Sequence, residues 1–111
     1  MQIALSQPQV TVVQAQKHLS NENATQFHHQ LVSTLSSQQN SIVLVDMEQV
    51  KSVDSEGLLA LVTALTLARK RNCRLSLCSI NPSVRLIFEV TQLDQIFEIF
   101  DDRTAFQAEV G

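Results

Sequence analysis

Apolar residues recur along this chain at two different spacings, and the switching between them lays out the elements before any motif is considered. Ser41-Ile42-Val43-Leu44-Val45-Asp46 is a nearly unbroken β-branched run, the pattern of a strand covered on both faces. Val10 to Ala15 and the shorter Gln2 to Leu5, separated by Pro8, read as a pair of N-terminal strands. Ser20-Asn21-Glu22-Asn23 then offers several candidate caps, and Ala24, Phe27, Leu31, Thr34 and Leu35 fall on one side of a helix ending near Ser36-Ser37. Helical spacing returns from Leu58 to Arg71, with Leu58, Leu61, Val62, Leu65 and Ala68 on one side and Glu56, Thr63, Leu67 and Lys70 on the other. Leu59 lies at the border, so this helix carries more apolar surface than one core-facing stripe requires.

Arg74 to Ser79 alternates as a strand, and Asn81-Pro82 breaks the chain to open a helix whose apolar side is Val84, Ile87, Phe88 and Thr91. Ile96 to Phe100 alternates again, and Asp101-Asp102 begins a final helix packed through Ala105, Phe106 and Val110. The order β, β, α, β, α, β, α, β, α predicts an α/β fold: a mixed, mostly parallel sheet of four to five strands with about four helices packed on it. At 111 residues, 44% of them hydrophobic, the chain forms a single domain over 1–111 and buries a little under ~70% of its unfolded surface.

Charge and composition then remove several function classes. The formal charge is −3, from eight basic and eleven acidic residues with no block of like sign, which gives neither nucleic acid nor an anionic membrane a footing. Five Phe with no Tyr or Trp leave no stacking platform for bases. Met1 to Gln16 lacks a basic start followed by an apolar run, and no segment approaches the roughly 18 apolar residues that span a bilayer, so the chain reads as cytoplasmic. Cys73 and Cys78, one before a strand and one within it, are poorly placed to bridge and read as half-buried thiols. No Cys/His spacing suits zinc, and Gly57 and Gly111, the whole glycine complement, form no phosphate-binding loop, so no metal or cofactor is expected. His18, His28 and His29 show no arrangement around a nucleophile; no catalytic residue is assigned and the reading is non-enzymatic. Arg69-Lys70-Arg71 suits the C-terminal dipole of its helix, and Asn72 ends it.

What remains is Asp54-Ser55-Glu56-Gly57, a short acidic turn carrying a hydroxyl between a strand and the long apolar helix. Helix starts leave backbone N–H groups unpaired and carry positive partial charge, so an anion added to Ser55 would be partly neutralised where it stands. Ser55 is therefore a candidate phosphoacceptor. The same residues also suit plain capping, with Asp54 as N-cap and Ser55 and Glu56 as ordinary first-turn residues. Gly57 either admits close helix packing or leaves room for a kinase approaching Ser55. Leu59, Thr63 and Leu67 continue outward from Ser55 and form the candidate partner-binding surface, with cover by a neighbouring segment as the alternative for Leu67.

Val45-Asp46-Met47-Glu48-Gln49-Val50, Val53-Asp54-Ser55-Glu56-Gly57-Leu58, Ile80-Asn81-Pro82-Ser83-Val84 and Thr91-Gln92-Leu93-Asp94-Gln95-Ile96-Phe97 together resemble the STAS family, shared by bacterial anti-sigma factor antagonists and sulfate transporter tails. The resemblance implies a STAS-like fold in which Ser55 is phosphorylated by a serine/threonine kinase that is also an anti-sigma factor. It further implies that the unmodified form binds this kinase, freeing a sigma factor, and that a PP2C-type phosphatase resets the modified form. Two departures stand out: Glu56 replaces a second hydroxyl residue, and Lys17-His18-Leu19-Ser20 lacks the Gly and Asp of the family's Gly-x-Leu-Asp. A transport alternative is an accessory subunit of a lipid-type ABC transporter that binds its ATPase constitutively. Ser55 and the Thr91 to Phe97 segment favour the antagonist. The sequence leaves a homo-oligomer open without indicating one.

Overall fold

The computed structural model describes residues 10–37 and 41–110. Four parallel strands form the main sheet: β1 (Val10–Gln14), β3 (Ile42–Asp46), β5 (Arg74–Cys78) and β6 (Glu98–Phe100), in the order β1-β3-β5-β6. Between them in sequence lie β2 (His18–Leu19), α1 (Ala24–Ser37), β4 (Ser52–Val53), α2 (Ser55–Lys70) and α3 (Pro82–Val90), and α4 (Arg103–Val110) closes the chain. The strand expected over Gln2 to Leu5 lies outside the described residues. All described strand pairs are parallel, as βα connections require, and the α/β architecture read from the alternation holds.

The two-residue period of the strands sorts the core into two layers. Val13, Val43, Val45, Leu75 and Leu77 pack in one cluster with side chains of α1, α2 and α3. Ile42, Leu44 and Cys78 point the other way and meet Phe106 of α4. Every residue of β3 is buried, which explains its continuous apolar run. Asp46, buried at its C-terminal end, is the exception: Oδ2 accepts from Arg103 Nε at 3.0 Å and Nη2 at 2.7 Å, and Oδ1 accepts from the Glu48 N–H at 2.9 Å. This clasp ties α4 to the centre of the sheet.

Several boundaries differ from the sequence expectation for local reasons. α2 begins at Ser55, three residues before its apolar periodicity does, because Asp54 caps it. It ends at Lys70, and Asn72 takes φ 57°, the left-handed conformation that Asn tolerates after a helix. A 3-10 turn over Leu93–Gln95 delays β6 to Glu98, and Phe97, expected in the strand, is buried edge-on to Phe88 with ring centroids 5.8 Å apart. Neither cysteine is in a disulfide, both are buried rather than half-buried, and burial pushes the Cys78 thiol above its ordinary pKa.

β2 and β4 form a separate two-stranded parallel sheet, pairing His18 with Ser52 and Leu19 with Val53. Strands this short leave no periodic trace in sequence. They nonetheless decide where α2 starts.

Candidate functional site

Asp54 is the anchor of the turn. Its backbone N–H donates to the Leu19 carbonyl at 2.9 Å, continuing the small sheet by one residue, and its own carbonyl accepts from Leu58 N–H at 3.0 Å. Its side chain divides its two oxygens: Oδ1 accepts from the Gly57 N–H at 3.0 Å and Oδ2 from the Asn21 N–H at 3.1 Å. The capping role expected of Asp54 is thus present, and it is joined by a second, long-range tie that the sequence did not reveal.

Asn21 is itself held in place by its neighbours. The Ser20 N–H donates to Asn23 Oδ1 at 3.0 Å, while Asn23 Nδ2 donates to the His18 carbonyl at 2.6 Å and to Gln16 Oε1 at 2.9 Å. Lys17-His18-Leu19-Ser20 therefore reaches the turn through the Leu19 carbonyl, and Asn21, just after it, does so through its N–H, both with backbone groups.

Gly57 faces Leu19. An added Cβ would run into the Leu19 carbonyl oxygen and come within 2.8 Å of Leu19 Cβ, so close helix packing accounts for the glycine. Ser55 and Glu56 are exposed at the first turn, and the Ser55 hydroxyl makes no hydrogen bond to any described residue. A hydroxyl at this position is presented to solvent at the start of a capped helix.

From Ser55 the outer side of α2 borders a groove shared with α1. Its first part, about 260 Å³, lies among Thr25, His28, Glu56, Leu59 and Thr63. It continues past His28 and Thr63 to Val32, Thr66, Leu67 and Lys70. Leu59 is 58% exposed, Thr63 is exposed, and Leu67 is half-buried against the core. The three are therefore placed unequally: Leu59 and Thr63 stand free beside the turn, whereas Leu67 forms part of the groove floor. His28, read from sequence as a part-exposed helix residue, lines both parts of the groove. Ala60 and Ala64, which the helical wheel passed over, are buried on the side of α2 that carries the core stripe.

One histidine does approach a hydroxyl. His18 Nδ1 lies 2.5 Å from Ser52 Oγ across the small sheet, a contact between residues 34 apart in sequence. Its other ring nitrogen has no hydrogen-bond partner among the described residues, so no group orients it as a base. No cluster of three or more His, Cys, Asp or Glu that could hold a metal occurs among the described residues. No helix among them is long and apolar enough to cross a membrane.

The sequence model of the STAS domain matches residues 3–105. Among solved structures, the chain is similar to a candidate anti-sigma factor antagonist from Thermotoga maritima, at 27% identity and a TM-score of 0.84 over 91% of this chain and 86% of that one. An anti-sigma-factor antagonist (STAS) domain protein from Planctomyces limnophilus superposes with a TM-score of 0.82 at 20% identity, covering 93% of this chain and 91% of that one. A sulfate transporter family protein from Wolinella succinogenes gives 0.72 at 14% identity, covering 92% and 83% respectively.

Proposed function

Because this chain belongs to the STAS domain family, we propose that it is a phosphorylation-controlled protein-binding module, an anti-sigma factor antagonist of a partner-switching pathway acting in the cytoplasm. The observation that carries the reading is the exposed Ser55 hydroxyl at the first position of α2, beside the exposed Leu59. The likeness to the Thermotoga antagonist, at 27% identity, supports the same class. In this reading the unmodified module binds a serine/threonine kinase of the anti-sigma type through Leu59, Thr63 and the groove. Phosphate on Ser55 adds about −1.5 to −2 charges. Beside Asp54 and Glu56 that charge must be desolvated at the interface, so the kinase is released until a PP2C-type phosphatase removes the phosphate.

Phosphorylation acts locally in this account. An anion at an exposed helix N-terminus is favourable by about 0.3–1 kcal/mol, and repulsion from the adjacent carboxylates offsets that gain. The fold is retained while the already acidic surface becomes more negative.

Incubation with the cognate kinase and ATP followed by phosphopeptide mapping tests the assignment. Phosphate on Ser55 is expected, and phosphate found only elsewhere contradicts it. Ser55→Ala should bind the kinase constitutively and Ser55→Asp poorly. A constitutive transporter subunit would instead bind its ATPase equally well with either residue.

A further inference from the structure

α3 is anchored by one side only. Val84 and Phe88 are buried, and on the opposite side Leu86 is 58% and Val90 75% exposed, one helical turn apart. An adjacent row carries Arg85 and Glu89, also one turn apart, and neither makes an ion pair with a described residue.

The order of these two charges is unfavourable within their own helix. Arg85 sits toward the N-terminal end and Glu89 next to the C-terminal residue, each against the macrodipole. A cation four residues before an anion is also the weaker orientation for an intrahelical pair. The same order becomes complementary when a second α3 runs antiparallel beside the first. A two-fold axis near Ile87 then brings Arg85 of each copy opposite Glu89 of the other, and the Leu86 and Val90 side chains close the seam between them.

We infer that α3 is a self-association surface, and that its partner is a second copy of this chain docked antiparallel through Leu86 and Val90 with reciprocal Arg85–Glu89 pairs. The charge pattern selects this occupant, since it satisfies itself under two-fold symmetry and a generic apolar partner would not need it. A single nine-residue helix offers a small interface, well under the ~1,600 Å² of a standard one, so the dimer is weak and reversible. Association is expected with a Kd on the order of 10–1000 μM.

Sedimentation velocity on the intact chain over a concentration series reads this directly. Arg85→Glu and Glu89→Arg, each studied alone, should raise the dimer Kd about tenfold or more by placing like charges in apposition. Mixed in equal amounts, these two variants should form a heterodimer, since one then presents two anions and the other two cations. The double exchange Arg85→Glu with Glu89→Arg should restore self-association, and Leu86→Asp should abolish it. All three positions of this test are exposed or half-buried, and circular dichroism melts matching the parent confirm that the variants fold. A monomer at millimolar concentration, a dimer indifferent to Arg85→Glu, or a mixture of the two single variants that stays monomeric each overturns the inference. So does a Leu86→Asp variant that loses kinase binding while the parent protein is monomeric, because a different protein then covers this face.

Discussion

α2 presents Gly57, Ala60, Leu61, Ala64, Leu65 and Ala68 on its inner side, all buried, and Ser55, Glu56, Leu59 and Thr63 on its outer side, all exposed. The inner side belongs to the core: Ala60, Leu61, Ala64, Leu65 and Ala68 join the main buried cluster, and Gly57 leaves no room for a Cβ against the backbone of Leu19. On the outer side, Leu59 leaves apolar area in water that burial would turn into about 1.5–3 kcal/mol of stability. Leucine suits a helix by propensity, but the packing of the inner side does not require one at this exposed position. The difference separates residues that the fold needs from residues that it leaves in solvent.

The largest effect belongs to the inner side. Leu61 is wholly buried, so Leu61→Ala should lose about 2–5 kcal/mol in urea unfolding, the combined cost of lost transfer energy and a cavity. A loss below 1 kcal/mol would mean that the inner side is loosely packed and that the contrast is overdrawn. Gly57→Ala follows. Alanine favours the helix by about 1 kcal/mol, yet its Cβ meets backbone at Leu19 rather than a flexible side chain. The overpacking cost of about 1–3 kcal/mol should win, giving net destabilisation and a shift of the small sheet relative to α2. A stabilised variant would instead favour the alternative role of Gly57, leaving room beside Ser55.

Asp54→Ala probes the junction of the two sides. Loss of the cap should cost about 0.5–2 kcal/mol. The Asn21 N–H loses its acceptor as well, but it is exposed and turns to water, so this second bond adds little to the cap's cost. Surface charge alone is worth less, and β6 supplies the yardstick. The Glu98 carboxyl is held below its ordinary value of 4.5, first by the hydrogen bond from Arg74, with burial opposing and Ser76 Oγ adding to it. A depressed folded pKa stabilises the domain above about pH 4.5, and that stability fades as pH falls through the lower folded value. Both partners are more than a third exposed, so screening should keep the contribution below about 1 kcal/mol, and 1 M salt should shrink it further. Glu98→Gln should remove this part of the acid dependence. Smallest of all, Leu59→Asp or Thr63→Asp should change stability by no more than about 0.5 kcal/mol while weakening kinase binding. Unfolding by either variant would make the outer side part of the core, and unaltered binding would move the interface elsewhere.

Much of this contrast was legible in the residues themselves. The β-branched run at Ile42 to Val45 announced a strand buried on both faces, and Asp54 before an apolar helix announced its cap. The small sheet was not legible, because two-residue strands have no period and their pairing joins His18 to Ser52, 34 residues away. Nor was the contribution of Ala60 and Ala64, whose low hydropathy hides how much they matter where backbones approach closely. Leu67 shows the limit of a helical wheel: its position relative to α2 alone points outward, but α1 lies alongside and leaves it half-buried.

The most direct test measures two quantities on one preparation of the protein phosphorylated at Ser55 and on its unmodified counterpart: affinity for the kinase partner and melting temperature. The account predicts that affinity falls about tenfold or more, equivalent to at least about 1.4 kcal/mol, while the melting temperature stays within a few degrees. Equal affinities for the two forms, or loss of cooperative unfolding on phosphorylation, would contradict it.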